Sequence, residues 1–164
     1  MKKFKAIIFA SLFIALTYSP IVKAQSNTKE KLVGVWQASE AMGSGWSDTY
    51  RFFNDSKFIF HTNQMNCAAR EISNSGTWKI ENNGIVLMIK ERVTMVGGKL
   101  VPVTGSCGSK YEPEGAKEKT VKNKTPVRKI LSLGKFGKDD LDRWTVLFGK
   151  IRFWRYDTDP KKYP

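Results

Sequence analysis

The chain has 164 residues, 41% of them hydrophobic and 12% aromatic, and carries 28 Lys and Arg against 15 Asp and Glu, a formal net charge of +13. Apolar content at that level offsets the entropy of ordering, which excludes a disordered chain, and the length suits one globular domain. No apolar run reaches about 20 residues, so no membrane span is expected.

Residues 1–24 read as a secretory signal peptide. Met1 to Lys5 is short and basic, Ala6 to Leu16 is an apolar run too short to span a bilayer, and Ala24 stands where cleavage before Gln25 is expected. No Cys lies near that point, which speaks against a lipid anchor. Cleavage removes Lys2, Lys3, Lys5 and Lys23 and leaves a mature domain, residues 25–164, with a net charge of +9. The expected location is a periplasm or the cell exterior. A basic surface there meets envelope lipids, polysaccharides or proteins, so nucleic acid is not the expected partner.

From residue 32 onward the hydrophobic period is close to two, and segments rich in Val, Ile, Phe, Tyr and Trp are bounded by Gly, Asn, Asp and Pro. This pattern predicts an all-β domain. Strands are expected at Leu32 to Ala38, Asp48 to Phe53, Phe58 to Thr62, Gly76 to Ile80, Ile85 to Val93, Lys99 to Val103, Val127 to Leu133, Arg143 to Phe148 and Lys150 to Tyr156. Asn54-Asp55-Ser56, Asn82-Asn83-Gly84 and Gly97-Gly98 tolerate turn conformations, which favours up-and-down hairpins. Alternation places Tyr50 and Phe52, Phe58 and Phe60, Trp78 and Ile80, Ile85 with Leu87 and Ile89, and Ile151 with Phe153 on the inward face. Closing such a sheet removes its edges, so the expected fold is a single up-and-down antiparallel β-barrel of about eight strands.

One segment breaks the pattern. Residues 104–126 hold Gly105, Gly108, Pro113 and Gly115, then the charged run Lys117-Glu118-Lys119 with Lys122 and Lys124, and are expected to form a long basic loop. That loop and the basic tail are either a patch for an anionic surface or a solvated face that promotes solubility. Cys67 and Cys107 are the only cysteines, and an even count in an exported chain favours a disulfide between them. A redox or metal pair is the weaker reading, because there is no C-x-x-C and His61 is the sole histidine.

Catalysis has little to work with. A Ser or Cys nucleophile needs an adjacent base, and one histidine at a strand end does not supply a site. Asp139, Asp140 and Asp142 are read as turn residues rather than as a metal or paired-carboxylate site. No enzyme, metal or cofactor is therefore expected, and the domain is expected to be a monomer.

Gly34-Val35-Trp36 places a G-x-W on the first strand. Glycine there permits close backbone approach, and tryptophan supplies a flat plug for one end of a barrel. With the aromatic hairpin from Tyr50 to Phe58, the strand and turn from Gly76 to Asn83, and the closing strand from Lys150 to Tyr156, the chain resembles the bacterial lipocalin-like domains of the calycin superfamily. That resemblance covers most of residues 31–156. It implies a late Arg packed over Trp36, a role assigned to Arg155 with Arg152 as competitor. It also implies an open end that admits a small hydrophobic or amphipathic molecule. Met42 and Trp46, in a glycine-bearing first connection, would then form a lid, or else Trp46 simply covers the barrel edge. Tyr50, Phe52, Phe60, Trp78 and Leu87 would line a cavity, or else fill the interior. Arg143 would pair with a ligand carboxylate if it faces inward, and otherwise sits at the surface. Two functions follow: a non-catalytic binder of a small apolar molecule, or an interaction module with a filled barrel that meets an anionic envelope component or protein through its basic loop.

Overall fold

The computed structural model describes residues 27–40 and 47–163. The expected signal peptide, Met42 and Trp46 lie outside the described residues. A short helical turn, residues 27–32, leads into eleven strands. In chain order these are β1 (Gly34–Gln37), β2 (Thr49–Phe52), β3 (Lys57–His61), β4 (Glu71–Glu81), β5 (Gly84–Val96), β6 (Lys99–Pro102), β7 (Tyr111–Glu114), β8 (Lys117–Ser132), β9 (Gly137–Lys138), β10 (Trp144–Phe148) and β11 (Ile151–Asp157).

The fold is all-β. Nine strands make one antiparallel sheet in the order β8-β5-β4-β3-β2-β1-β11-β10-β9, and β6 pairs with β7 as a separate hairpin. Consecutive strands are neighbours from β1 to β5, with tight turns between β2 and β3 and between β4 and β5. Asn82 and Asn83, both at positive φ, turn β4 directly into β5, as a two-residue hairpin loop requires.

The ladder does not close into the expected eight-strand barrel. Among the described residues its two ends meet at one place, where Leu133 bridges Phe148 of β10 and the amides of Gly134 and Gly149 donate to the carbonyls of Leu147 and Ser132 at 2.9 and 2.8 Å. The reason lies in the pairing of β5 with β8. Ile89 faces Val127 and Glu91 faces Lys122, so four residues, 123–126, stand opposite Lys90 alone. Pro126 cannot donate to a ladder and tolerates such a bulge, and Asn123 Nδ2 spans it by donating to Ile89 O at 3.1 Å. Lys90 is also extra on the other side of β5, where Gly76 faces Ile89 and Ser75 faces Glu91. A side chain at Gly76 would collide with Met88 O.

These irregularities divide the sheet. On one side of them is a body whose core contains Leu32, Trp36, Tyr50, Phe52, Phe58, Trp78, Ile85, Leu87, Ile89, Val146, Phe148 and Phe153. On the other, residues 71–75, 90–96 and 117–122 continue as an arm, still paired to β3 through Ser73–Ser75, that adds no residue to that core. Each fully buried large apolar side chain contributes about 1.5–3 kcal/mol, so cohesion is concentrated in the body.

The long basic loop expected over residues 104–126 is not a loop for most of its length. Tyr111–Glu114 is β7 and β8 begins at Lys117. Only the stretch between β6 and β7 stays irregular. Charge hid the strand: a margin strand exposed on both faces has no apolar alternation to reveal it, and lysines and proline are what such margins carry. Ile151, expected inside, is exposed, because it opens β11 directly after the Gly149 turn.

Candidate functional site

Two regions carry chemistry, the aromatic interior of the body and the basic margin of the arm. The interior begins at Trp36. An added Cβ at Gly34, whose φ is +133°, would collide with Asp157 O, so glycine is what lets β11 approach β1. Trp36 pairs directly with Arg155, whose guanidinium carbon lies 4.9 Å from the indole centroid. The same guanidinium donates to the carbonyls of Lys31 and Val33, which end the helical turn, and Trp36 Nε1 donates to Leu32 O at 2.8 Å. Burial lowers the pKa of Arg155 from its ordinary value, and the stacked, hydrogen-bonded geometry keeps the charge in place. Arg152 pairs opposite Leu147 on an exposed stretch, away from Trp36.

Tyr50, Phe52, Phe60, Trp78 and Leu87 come together as the sequence placed them, on one face of β2 to β5. They touch one another. Tyr50 is 5.5 Å from Phe52 and 4.6 Å from Phe60, Phe52 is 5.0 Å from Trp78, and Phe148 meets both Tyr50 and Phe52 below 6 Å. Separations of 4.5–7 Å are those of packed aromatic pairs. The Tyr50 hydroxyl is pushed well above its ordinary pKa, first by burial and then by the charges of Asp48 and Glu71, so it stays neutral.

Arg143 is held elsewhere. It precedes β10, and its guanidinium is taken by Asp139, with Nε to Oδ2 at 2.7 Å, and by Glu40 O at 3.0 Å. Asp139 organises that corner, also accepting from the amides of Leu141 and Arg143 and from Trp154 Nε1. These bonds, the Arg143 side chain first, hold its carboxyl at about 2. Asp142 pairs with Lys138 at 2.6 Å. Among the described residues no His, Cys, Asp and Glu cluster suited to a metal ion occurs.

Sequence reasoning missed two cations on the inward face. The cross-strand row Phe60, Asn74, Arg92 places Arg92 beside the rings, 3.7 Å from Glu71, and the Lys129 ammonium lies 5.8 Å from the Phe60 centroid. Arg92 sits past the bulge at Lys90, where strict alternation along β5 fails, so no pattern in the sequence assigns its face.

The second region is β8 itself. It is 16 residues long, and among the described residues it pairs along its length on one side only, with β5. It carries Lys117, Lys119, Lys122, Lys124, Arg128 and Lys129 against one acid, Glu118. None of its lysines makes an ion pair among the described residues, and Arg128 lies 3.9 Å from Glu81. Val121, Val127 and Ile130 are exposed between these charges.

The arm is tied back to the body. Cys67 and Cys107 form a disulfide that joins the β3–β4 connection to the β6–β7 segment. Around it Gly108 N donates to Met65 O, Ser109 Oγ to Asn66 Oδ1, and Arg70 Nη1 to Gly97 O at 2.6 Å. A cleft of about 470 Å³ lies at this junction, lined by residues including Asn66, Cys67, Ile72, Met95, Glu112 and Pro113. Comparison with protein-family models, with curated proteins and with solved structures finds no match to this chain.

Proposed function

We propose that the protein is an exported, non-catalytic interaction module. Its sheet is an incompletely closed, lipocalin-like barrel with a filled interior that serves as scaffold, and it meets an anionic partner through the lysine-rich strand β8. The observation that carries this reading is the contrast between ring-on-ring packing from Tyr50 to Phe148 and a long margin whose lysines make no ion pair among the described residues. Unpaired charges in water exert attraction over a Debye length of about 8–10 Å at physiological salt, enough to gather an anionic surface or chain. The disulfide and the absence, among the described residues, of a helix long and apolar enough to cross a membrane are compatible with an exported domain.

Binding to polyglutamate and to vesicles containing anionic phospholipid tests this reading. Replacing Lys117, Lys119, Lys122 and Lys124 together by Gln is expected to abolish salt-sensitive binding while changing stability by less than about 0.5 kcal/mol, since these side chains are exposed. Wild-type protein that binds neither probe at low salt overturns it.

A second reading, a small amphipathic molecule held at Phe60, is favoured by one observation: the Lys129 ammonium lies over that ring, with Arg92 in the same cross-strand row, and both cations suit an anionic head group. Native mass spectrometry of protein from its own host decides between the two. A stoichiometric lipid-like mass supports the second reading, and its repeated absence supports the first.

A further inference from the structure

Strand β8 offers more than charge. A sheet margin presents a row of unpaired backbone N–H and C=O groups, with alternate residues directing both groups outward. From Lys117 to Lys122 the ladder with β5 is regular, since Val96, Met95, Thr94, Val93, Arg92 and Glu91 pair in step with residues 117 to 122. The backbone there is already held straight, and its outward groups face water among the described residues. Beyond Pro126 the same margin runs toward its bridge with β10, which leaves less room. The free stretch is therefore 117–122, about six residues, the usual length of one strand.

The side chains on that stretch select the occupant. Lys117 and Lys119 lie on one face of the strand with Val121, and Lys122 lies on the other with Glu118; in-step antiparallel pairing of two copies would set Lys117 opposite Lys122. The lysines complement an acidic chain, and Val121 adds an apolar contact. A lipid headgroup or an anionic polysaccharide answers the charge but makes no use of the backbone row. We infer that residues 117–122 of β8 are a strand-addition site for an extended acidic polypeptide segment, which would enter the nine-stranded sheet as its next strand. This rests on the reading of β8 as the contact surface and specifies its partner. Backbone hydrogen bonds supply the register and lysine-carboxylate pairs the selectivity.

The test uses the full domain and a short synthetic peptide alternating Glu with Val, followed by fluorescence anisotropy and by amide exchange. The peptide should bind, alternate amides within residues 117–122 should become protected, and Lys117→Glu with Lys119→Glu, which share the face its Glu side chains meet, should weaken binding by at least about tenfold. Two N-methylated versions of the peptide, one blocking odd amides and one blocking even amides, decide the mode. Addition to an edge predicts that one version loses binding and the other keeps it, because only one set of amides faces β8. If both versions bind as well as the parent peptide, the strand-addition site is overturned while an electrostatic surface stands. If neither the peptide nor anionic vesicles bind at low salt, the broader reading of β8 fails with it.

Discussion

The body and the arm share three strands, β4, β5 and β8, yet they are stabilised in different ways. Where β4, β5 and β8 run through the body, Trp78, Leu87, Ile89 and Leu131 face a shared interior and burial holds the strands in register. Past the bulge at Lys90 the same strands carry Ser73, Asn74, Arg92, Thr94, Lys119 and Lys122, and cohesion rests on the ladder itself, the Glu71–Arg92 pair and the disulfide at Cys67. Buried Asn74 apart, the side chains of such a stretch are open to recognition, because their replacement empties no buried space. The difference teaches where to look for function: in the part of the sheet that folding does not need for its core.

The largest expected effect is in the body. Trp36→Ala removes a fully buried indole that meets Phe136, Phe148 and the Arg155 guanidinium, and should cost about 3–5 kcal/mol in urea unfolding. A loss below about 1 kcal/mol would mean that the core is centred elsewhere.

Next comes the tie between body and arm. Cys67→Ser with Cys107→Ser opens a loop of 40 residues and should cost about 2–4 kcal/mol on chain-entropy grounds. Limited proteolysis sharpens the comparison, since the first cut should move into residues 103–110 while the tryptophan fluorescence of the body stays native. Simultaneous loss of both signals would make arm and body one unit.

Arg155→Met keeps much of the side-chain volume but loses the charge over Trp36 and both donors to the helical turn, for an expected cost of about 1–2 kcal/mol. Arg155→Lys should recover little of it, because an ammonium cannot stack and fork at once. Full recovery by lysine would reduce the contact to simple charge.

The smallest effect is at the Asp139 corner. Its carboxyl titrates at about 2, below the ordinary 3.8, so the folded state favours the ionised form. The stabilisation is present above about pH 4 and is lost as the pH falls toward 2. Asp139→Asn should melt below wild type at neutral pH, and the two curves should converge through that window. Parallel curves down to pH 2 would remove Asp139 from the account.

Much of the body could be read from the sequence, because burial on one face writes a period of two. Tyr50, Phe52, Phe58, Phe60, Trp78 and Ile85 all alternate and all face inward. Asn82-Asn83 announced its hairpin because both residues tolerate positive φ. The arm was largely illegible for the opposite reason. With neither face buried, the register of β8 is set by its neighbour and not by its own pattern, and its lysines look like those of a solvated loop. Arg92 escaped notice because a bulge shifts every later residue to the other face. Alternation leaves Arg143 either inward or at the surface, and the structure puts it one residue before β10, where Asp139 captures it.

Native-state hydrogen exchange across the whole domain tests the division of body and arm most directly. The account expects two tiers: amides of β1, β2 and the Trp78 to Glu81 segment of β4 exchanging only through global unfolding, and paired amides of residues 90–96 and 117–122 opening at a distinctly lower free energy with little dependence on denaturant. A single tier, with β8 between Lys117 and Lys122 as protected as β2, would contradict it.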